Sequence, residues 1–263
     1  MEKVRSKDGA PIAFRRSGKG PSLLLVHGTG GTSRRWAPVV PLLERDFTVY
    51  VMDRRGRGES NDSTMPYAIE REFEDVAAVV DGIGERVHIF GHSYGGICAL
   101  ESTALTRRVG RLVLYEPPMK ADPTRVLDPD LLDKLQALLA AGDREGVLMT
   151  FMREVVRMPE HEIGLSTALP AWPDRVAAAH TLPRELMALE GYRFEASRFK
   201  SMTLPTLLLI GGNSPDHVRA AIRLLSDALC NGTVTVLPGQ QHVAMETAPE
   251  MLAKAVADFL LQG

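Results

Sequence analysis

One repeated arrangement limits what this chain can fold into. Short, continuous apolar runs alternate with segments of helical spacing. The runs are 22–28 (SLLLVHG), 47–53 (FTVYVMD), 86–93 (RVHIFGHS), 111–118 (RLVLYEPP), 206–212 (TLLLIGG) and 233–239 (TVTVLPG). Helical spacing occupies 34–45, 69–84, 94–105, 218–229 and 249–261. Strands that are apolar on both faces need cover on both faces, and the intervening helices supply it. The fold class is therefore α/β, a doubly wound, mostly parallel sheet. Residues 4–18 read as an antiparallel hairpin turning at Asp8-Gly9. Crossovers in such sheets are right-handed, and ligands bind beyond the carboxyl ends of the strands. The positions to inspect are thus His27-Gly28-Thr29, Asp53, Ser93, Glu116, the 212–216 loop and the loop after Leu237.

Residues 118–198 break the alternation. They hold helical pieces only, punctuated by Pro159, Pro170, Pro173 and Pro183. The organisation predicted is a core of 1–117 and 199–263 with an all-helical cap at 118–198. Both ends of the insertion attach on the ligand side of the sheet, which favours a lid over a surface decoration. Its apolar residues include Leu131, Leu135, Leu138, Leu139, Met149, Phe151, Met152, Met158, Trp172 and Met187. At helical spacing most of these pack the lid onto the core. A minority face the site, and methionines would form an adaptable apolar wall.

Composition narrows the class further. With 44% apolar residues the chain can bury a sizeable core, and a net charge of −2 gives no basic surface for nucleic acid. The start, MEKVRSKDGAP, has no apolar leader, and no apolar run approaches the roughly 20 residues of a membrane span. Cys98 and Cys230 form neither a disulfide framework nor a metal site, and both read as small buried hydrophobes. The expectation is a cytoplasmic protein without membrane or nucleic-acid partners. Oligomeric state stays open, a homodimer included.

The chemistry centres on Gly91-His92-Ser93-Tyr94-Gly95, a G-x-S-x-G at a strand-to-helix junction. The glycines permit a tight turn that pushes the Ser93 hydroxyl out of the sheet. A serine hydroxyl is a weak nucleophile until a base takes its proton. Of seven histidines, His242 lies between the last strand and the last helix, last in the order Ser, acid, His. His27 reads as a brace for its loop, His92 as pointing away from Ser93, and His88 as packed. His161, His180 and His217 lack a supporting motif. Two backbone N–H groups must meet a developing oxyanion: Tyr94, after the nucleophile, and Thr29, in the loop HGTGGT. That loop has neither the spacing nor the lysine of a phosphate-binding loop. Gly28 and Gly30, with Met149 and Met152 of the lid, are the candidate substrate contacts. Arg54, Arg55 and Arg57 could meet an anion but read first as a salt-bridged loop, with Asp53 as their partner.

The segments LLLVHGTGG, VMDRRGRGES, IFGHSYGG and LPGQQHVAMETAPE resemble the α/β-hydrolase superfamily over nearly the whole chain except the insertion, which corresponds to its variable cap. The resemblance implies a hydrolase without metal or cofactor. Ser93 argues against the epoxide hydrolases and haloalkane dehalogenases, which use an aspartate nucleophile. In many of the superfamily's serine enzymes the acid stands about three residues past the first glycine of LLLIGG. That slot here is Ser214. Asp216 comes two residues later, at the start of a predicted helix, where an acid suits the helix dipole. Glu116 ends the preceding strand, on the ligand side and in the right chain order, and some branches of the superfamily carry their acid there. Glu116 is the preferred acid and Asp216 the alternative. The function expected is cleavage of small to medium, largely apolar carboxylic esters through an acyl-enzyme. Lactone, amide or C–C bond hydrolysis on the same residues is the runner-up, and a ligand-binding protein without turnover is the rival from another class.

Overall fold

The computed structural model describes residues 1–62, 66–120 and 128–262. Eight strands form one sheet: β1 (Glu2–Arg5), β2 (Pro11–Gly18), β3 (Ser22–Val26), β4 (Thr48–Met52), β5 (Val87–His92), β6 (Val109–Tyr115), β7 (Thr206–Gly211) and β8 (Gly232–Leu237). Their order is β1-β2-β4-β3-β5-β6-β7-β8. The N-terminal hairpin pairs antiparallel, with Gly9 at φ 88° in its turn, and β2 joins β4 antiparallel. Every pairing from β4 through β8 is parallel. The sheet is thus mostly parallel, as the apolar runs require. All five residues of β3 and of β4 are buried. Each large apolar side chain so enclosed contributes about 1.5–3 kcal/mol.

The helices are α1 (Val40–Leu43), α2 (Ile69–Ile83), α3 (Tyr94–Ser102), α4 (Pro129–Ala140), α5 (Arg144–Thr150), α6 (Glu160–Ala168), α7 (Trp172–Ala177), α8 (Leu182–Gly191), α9 (Asp216–Ala228), α10 (Ala244–Thr247) and α11 (Pro249–Leu260). On one face of the sheet, Phe73 and Val76 of α2, Ile97 of α3 and Leu225 of α9 pack on Leu24, Ile89 and Leu208. On the other, Trp36 and α11 residues Leu252 and Val256 pack on Leu25, Phe90 and Leu209. Leu131, Leu135, Leu148, Phe151 and Leu182 of the inserted segment join this second cluster. The helices between β6 and β7 are therefore welded to the sheet by a shared apolar core.

Three local expectations change. The helix over 34–45 is replaced by a 3₁₀ turn at Ser33–Trp36 and the four-residue α1, because Pro38 and Pro41 interrupt the backbone hydrogen bonding. Helix α9 begins at Asp216, two residues earlier than its apolar spacing suggests. Cys98 is buried, but Cys230 is exposed and donates to the Met202 carbonyl (2.9 Å). Among the described residues, no helix is long and apolar enough to cross a membrane.

Candidate active site

Strand β5 ends at His92, Ser93 sits at φ 53°, ψ −126°, and α3 starts at Tyr94. A β-carbon at Gly91 would stand 2.6 Å from the Gly95 carbonyl oxygen. One at Gly95 would stand 2.4 Å from that of Val26. The chain reverses so tightly against β3 that only glycine fits at either place. The turn is pinned by Ser93 N–H donating to Tyr115 O (2.8 Å) and Gly96 N–H donating to Ser93 O (2.7 Å). The unusual backbone at Ser93 costs roughly 1–3 kcal/mol, which these bonds and the packing of α3 offset.

His242 is carried by the loop between β8 and α10, and three groups fasten that loop. His92 donates its Nε2 hydrogen to the His242 carbonyl (2.9 Å). The Tyr115 hydroxyl donates to the Gln241 carbonyl and accepts from Ala244 N–H (3.3 Å). Burial, and then the nearby His242 and Arg35 charges, push the His92 pKa well below the usual histidine range, so it stays neutral and keeps this bond. The His242 ring meets Glu116, with Nδ1 2.8 Å from Oε2.

Glu116 follows β6 at φ 47° and is 2% exposed. Its other oxygen, Oε1, accepts from Gly211 N–H (2.8 Å) and from the Ser214 hydroxyl. Burial alone would raise the Glu116 pKa. The bond and charge of His242, then Ser214 and Gly211, outweigh it and hold the carboxyl below its ordinary value. Asp216 is exposed at the first position of α9, and no bond joins it to His242. Ser214, in the slot where the resemblance would place an acid, hydrogen-bonds Glu116 instead.

The 27–31 loop is braced from both sides. His27 Nδ1 donates to Gly28 O (2.9 Å), and its Nε2 accepts Arg54 N–H (3.2 Å). Burial and then the Arg57 and Arg54 charges keep His27 neutral. Arg175 of α7 donates from Nε to Gly30 O (3.0 Å). A β-carbon on Gly28 would lie 2.8 Å from that of Ser93, so this glycine makes room for the serine. Thr29 lines the cavity above Ser93. The Tyr94 amide is the first of α3, where no intrahelical carbonyl can receive it.

Two buried ionic clusters tie the inserted helices to this frame. Arg54 grips Glu72 through Nε and Nη2 (both 2.7 Å), and Glu185 of α8 reaches Arg54 (3.4 Å) and Arg57. Arg55 pairs with Asp75 (2.7 Å) and Asp8 (2.9 Å). Asp53 accepts Ser33 N–H (2.7 Å) and Glu59 N–H (3.1 Å), so it braces backbone rather than pairing with these arginines. The second cluster surrounds Glu246 of α10, held by Arg35 (3.2 Å), Arg175 (3.7 Å) and the Ser166 hydroxyl.

A cavity of about 640 Å³ brings Ser93, His242, Glu116 and Thr29 together with apolar Leu131, Phe151, Met158 and Leu186. Met149 and Met152 are not among its lining residues. Met152 is fully buried behind the wall, with its sulfur 3.7 Å from Arg175 Nη2, and Met149 packs on the shared core. Gly30 is covered by Leu148 and Phe151. Met187 faces solvent. Sequence reading did not single out Tyr115, Arg175 or Glu162, and it passed over His217, which lines the cavity.

Such an arrangement of elbow, histidine loop and strand-end acid, on this sheet order, defines an α/β hydrolase. The model of the alpha/beta hydrolase family matches residues 23–255, and the chain belongs to that family. An alpha/beta hydrolase of Sphaerobacter thermophilus DSM 20745 is 39% identical, with TM-score 0.85 over 98% of this chain and 100% of its own. A hydrolase of Pseudomonas aeruginosa PA01 is 25% identical, with TM-score 0.80 over 99% and 98% of the two chains. Among curated proteins, the 2-(acetamidomethylene)succinate hydrolase of Mesorhizobium japonicum is 24% identical over 265 residues, covering 95% of this chain and 91% of its own.

Proposed function

We propose that this hydrolase cleaves carboxylic esters of small to medium, largely apolar substrates through a Ser93 acyl-enzyme. The observation that carries the reading is the His242 Nδ1 to Glu116 Oε2 bond of 2.8 Å, with Oε1 already saturated by Gly211 and Ser214. A carboxylate so held accepts Nδ1–H and leaves Nε2 as the basic nitrogen. His242 then takes the Ser93 proton as the hydroxyl oxygen bonds to the substrate carbonyl carbon. The Thr29 and Tyr94 amides receive the negative oxygen. His242 returns the proton to the leaving alcohol, and a water repeats the sequence to release the acid. Leu131, Phe151, Met158 and Leu186 support an apolar substrate body.

An amide-type bond is the second reading, favoured by the name of the Mesorhizobium relative. It uses the same residues and differs only in the leaving group. The ester reading is tested with p-nitrophenyl esters of two to eight carbons and a fluorophosphonate probe. Turnover together with probe attached at Ser93, both absent in Ser93→Ala, is expected. Labelling of Ser93 without turnover of any ester would refute ester cleavage and favour the amide reading. No labelling and no turnover would refute serine hydrolysis altogether.

A further inference from the structure

The mechanism uses one carboxyl of the cavity, but Glu162 of α6 also lines it, 5% exposed. The other cavity carboxylates are engaged. Glu116 is bound as described, Glu154 pairs with Lys134 (2.5 Å), and Glu190 pairs with Lys120 (2.6 Å). Asp128 accepts Asp130 N–H at the start of α4 (3.0 Å). Among the described residues, the Glu162 carboxyl makes no ion pair and no hydrogen bond, and its Oε2 is enclosed without a partner. Buried carboxyl oxygens are almost always paired, so an orphan in a cavity wall calls for a ligand.

The placement of α6 says where that ligand lies. Ser166, one helical turn beyond Glu162 and on the same face, donates to Glu246, four residues past His242. The Glu162 face of α6 is thereby docked against the histidine loop. Burial is the main influence on the Glu162 carboxyl, raising its pKa, followed by the charges of His161, His242, Glu246 and Glu116.

We infer that Glu162 is a substrate-recognition residue, which accepts a hydrogen bond from a hydroxyl or N–H group that the substrate carries near its scissile carbonyl. This rests on the serine-hydrolase reading and adds one polar requirement to an otherwise apolar substrate. An apolar ligand would leave the Glu162 oxygen unpaired, so the cavity discriminates against it. A bond to a charged acceptor corresponds to about 10- to 100-fold in kcat/KM.

The test uses matched ester pairs: methyl lactate against methyl propionate on the acyl side, and 2-hydroxyethyl butyrate against propyl butyrate on the alcohol side. Hydrolysis is followed by titrating the released acid, and each ester is also scored for slowing fluorophosphonate labelling of Ser93. Wild type is expected to prefer the hydroxyl member of at least one pair by tenfold or more. Glu162→Leu should bring that ratio to about one, with labelling of Ser93 retained. Glu162→Gln, which keeps an acceptor and the shape, should retain part of it. Ratios near one in wild type for both pairs, or a preference that survives Glu162→Leu, would overturn the inference while leaving the hydrolase reading intact. An unlabelled Ser93 with no turnover would instead remove the hydrolase reading and this inference with it.

Discussion

Replacing Glu116 by glutamine gives a sharp test of the proposed triad, because the surroundings decide which way the amide must turn. At the Oε1 position two donors converge, Gly211 N–H at 2.8 Å and the Ser214 hydroxyl. The backbone donor cannot reorient, so the carbonyl oxygen of the glutamine must occupy that place. Its NH₂ then takes the Oε2 position, 2.8 Å from His242 Nδ1. A donor there makes Nδ1 the acceptor and moves the histidine proton to Nε2, the nitrogen that has to be free to receive the Ser93 proton. In a serine protease triad the same wrong tautomer lowers kcat by about 10⁴. A loss of that order is expected for Glu116→Gln on any ester that wild type cleaves, with KM nearly unchanged. Glu116→Ala should be no worse, since it removes the misdirecting donor. The ring nitrogens of His242, read by ¹⁵N NMR, should change from Nδ1–H in wild type to Nε2–H in Glu116→Gln. If Glu116→Gln keeps more than a tenth of wild-type activity, or if Asp216→Asn is the variant that loses 10⁴, the assignment of Glu116 is wrong.

Further predictions concern the supports of this pair. Ser214→Ala removes one donor from the buried Glu116 carboxylate; urea unfolding at pH 7 should show a loss of about 1.5–3 kcal/mol, and activity should fall far less than in Glu116→Gln. Arg175→Ala deprives Gly30 O of its donor and leaves Glu246 with Arg35 and the Ser166 hydroxyl, so a stability loss of about 3–5 kcal/mol is expected. Arg175→Lys keeps the charge but not the fork; its kcat should fall by about tenfold with KM within about twofold, because the loop proposed to hold the oxyanion acts on the transition state. Stability should also decline as pH falls from 6.5 to 5. His27 and His92 have folded pKa values well below their unfolded value, so the unfolded chain takes up protons there that the folded chain cannot. Asp75, raised to about 6 by burial, works the other way and offsets part of this. The net expected is a loss of roughly 1 kcal/mol per pH unit in urea titrations; a flat or rising profile would contradict it.

Which parts of this architecture were legible beforehand follows from the range of the forces involved. The strands were readable because a doubly covered strand must be mostly apolar, and β3, β4 and β7 are buried throughout with a single polar residue each, Ser22, Thr48 and Thr206, at their starts. The elbow was readable because its two glycines are demanded by contacts with backbone. The inward face of the lid was not. Met149 and Met152 were expected at the cavity because methionines make an adaptable apolar wall, but α5 runs into a π-helical stretch at Phe151–Val156. Its wider turn shifts the phase, so Phe151, Val155 and Val156 line the cavity and Met152 is rotated into the core. Such stretches have no local signal of the kind that proline or glycine provides. The Arg175 bond to Gly30 and the orphan carboxyl of Glu162 were equally hidden, since they depend on helices meeting loops 145 and 80 residues away.

The proposed relocation of the acid to Glu116 asks little change of the sheet. β6 and β7 are parallel neighbours, with Tyr115 opposite Leu209, and Glu116 N–H still donates to Leu209 O (3.2 Å). One residue past the strand, the backbone turns to φ 47°, and the side chain lies across the end of β7, where the Gly211 amide waits as a donor. An acid rooted on β7 and one rooted on β6 can therefore address the same imidazole. Once the carboxylate comes from β6, a second carboxylate in the vacated slot would repel it, whereas a hydroxyl there donates to it. Ser214 is that hydroxyl, so on the proposed triad the residue that first suggests a broken site becomes a support for Glu116. This account makes the two positions interdependent. Ser214→Asp alone should damage the site by placing like charges together. In a Glu116→Ser background the same change should recover activity above Glu116→Ser alone, because the carboxylate and the hydroxyl have only exchanged roots. Kinetics on the two single variants and the double variant decide it. If the losses simply add, the two residues do not share one carboxylate site.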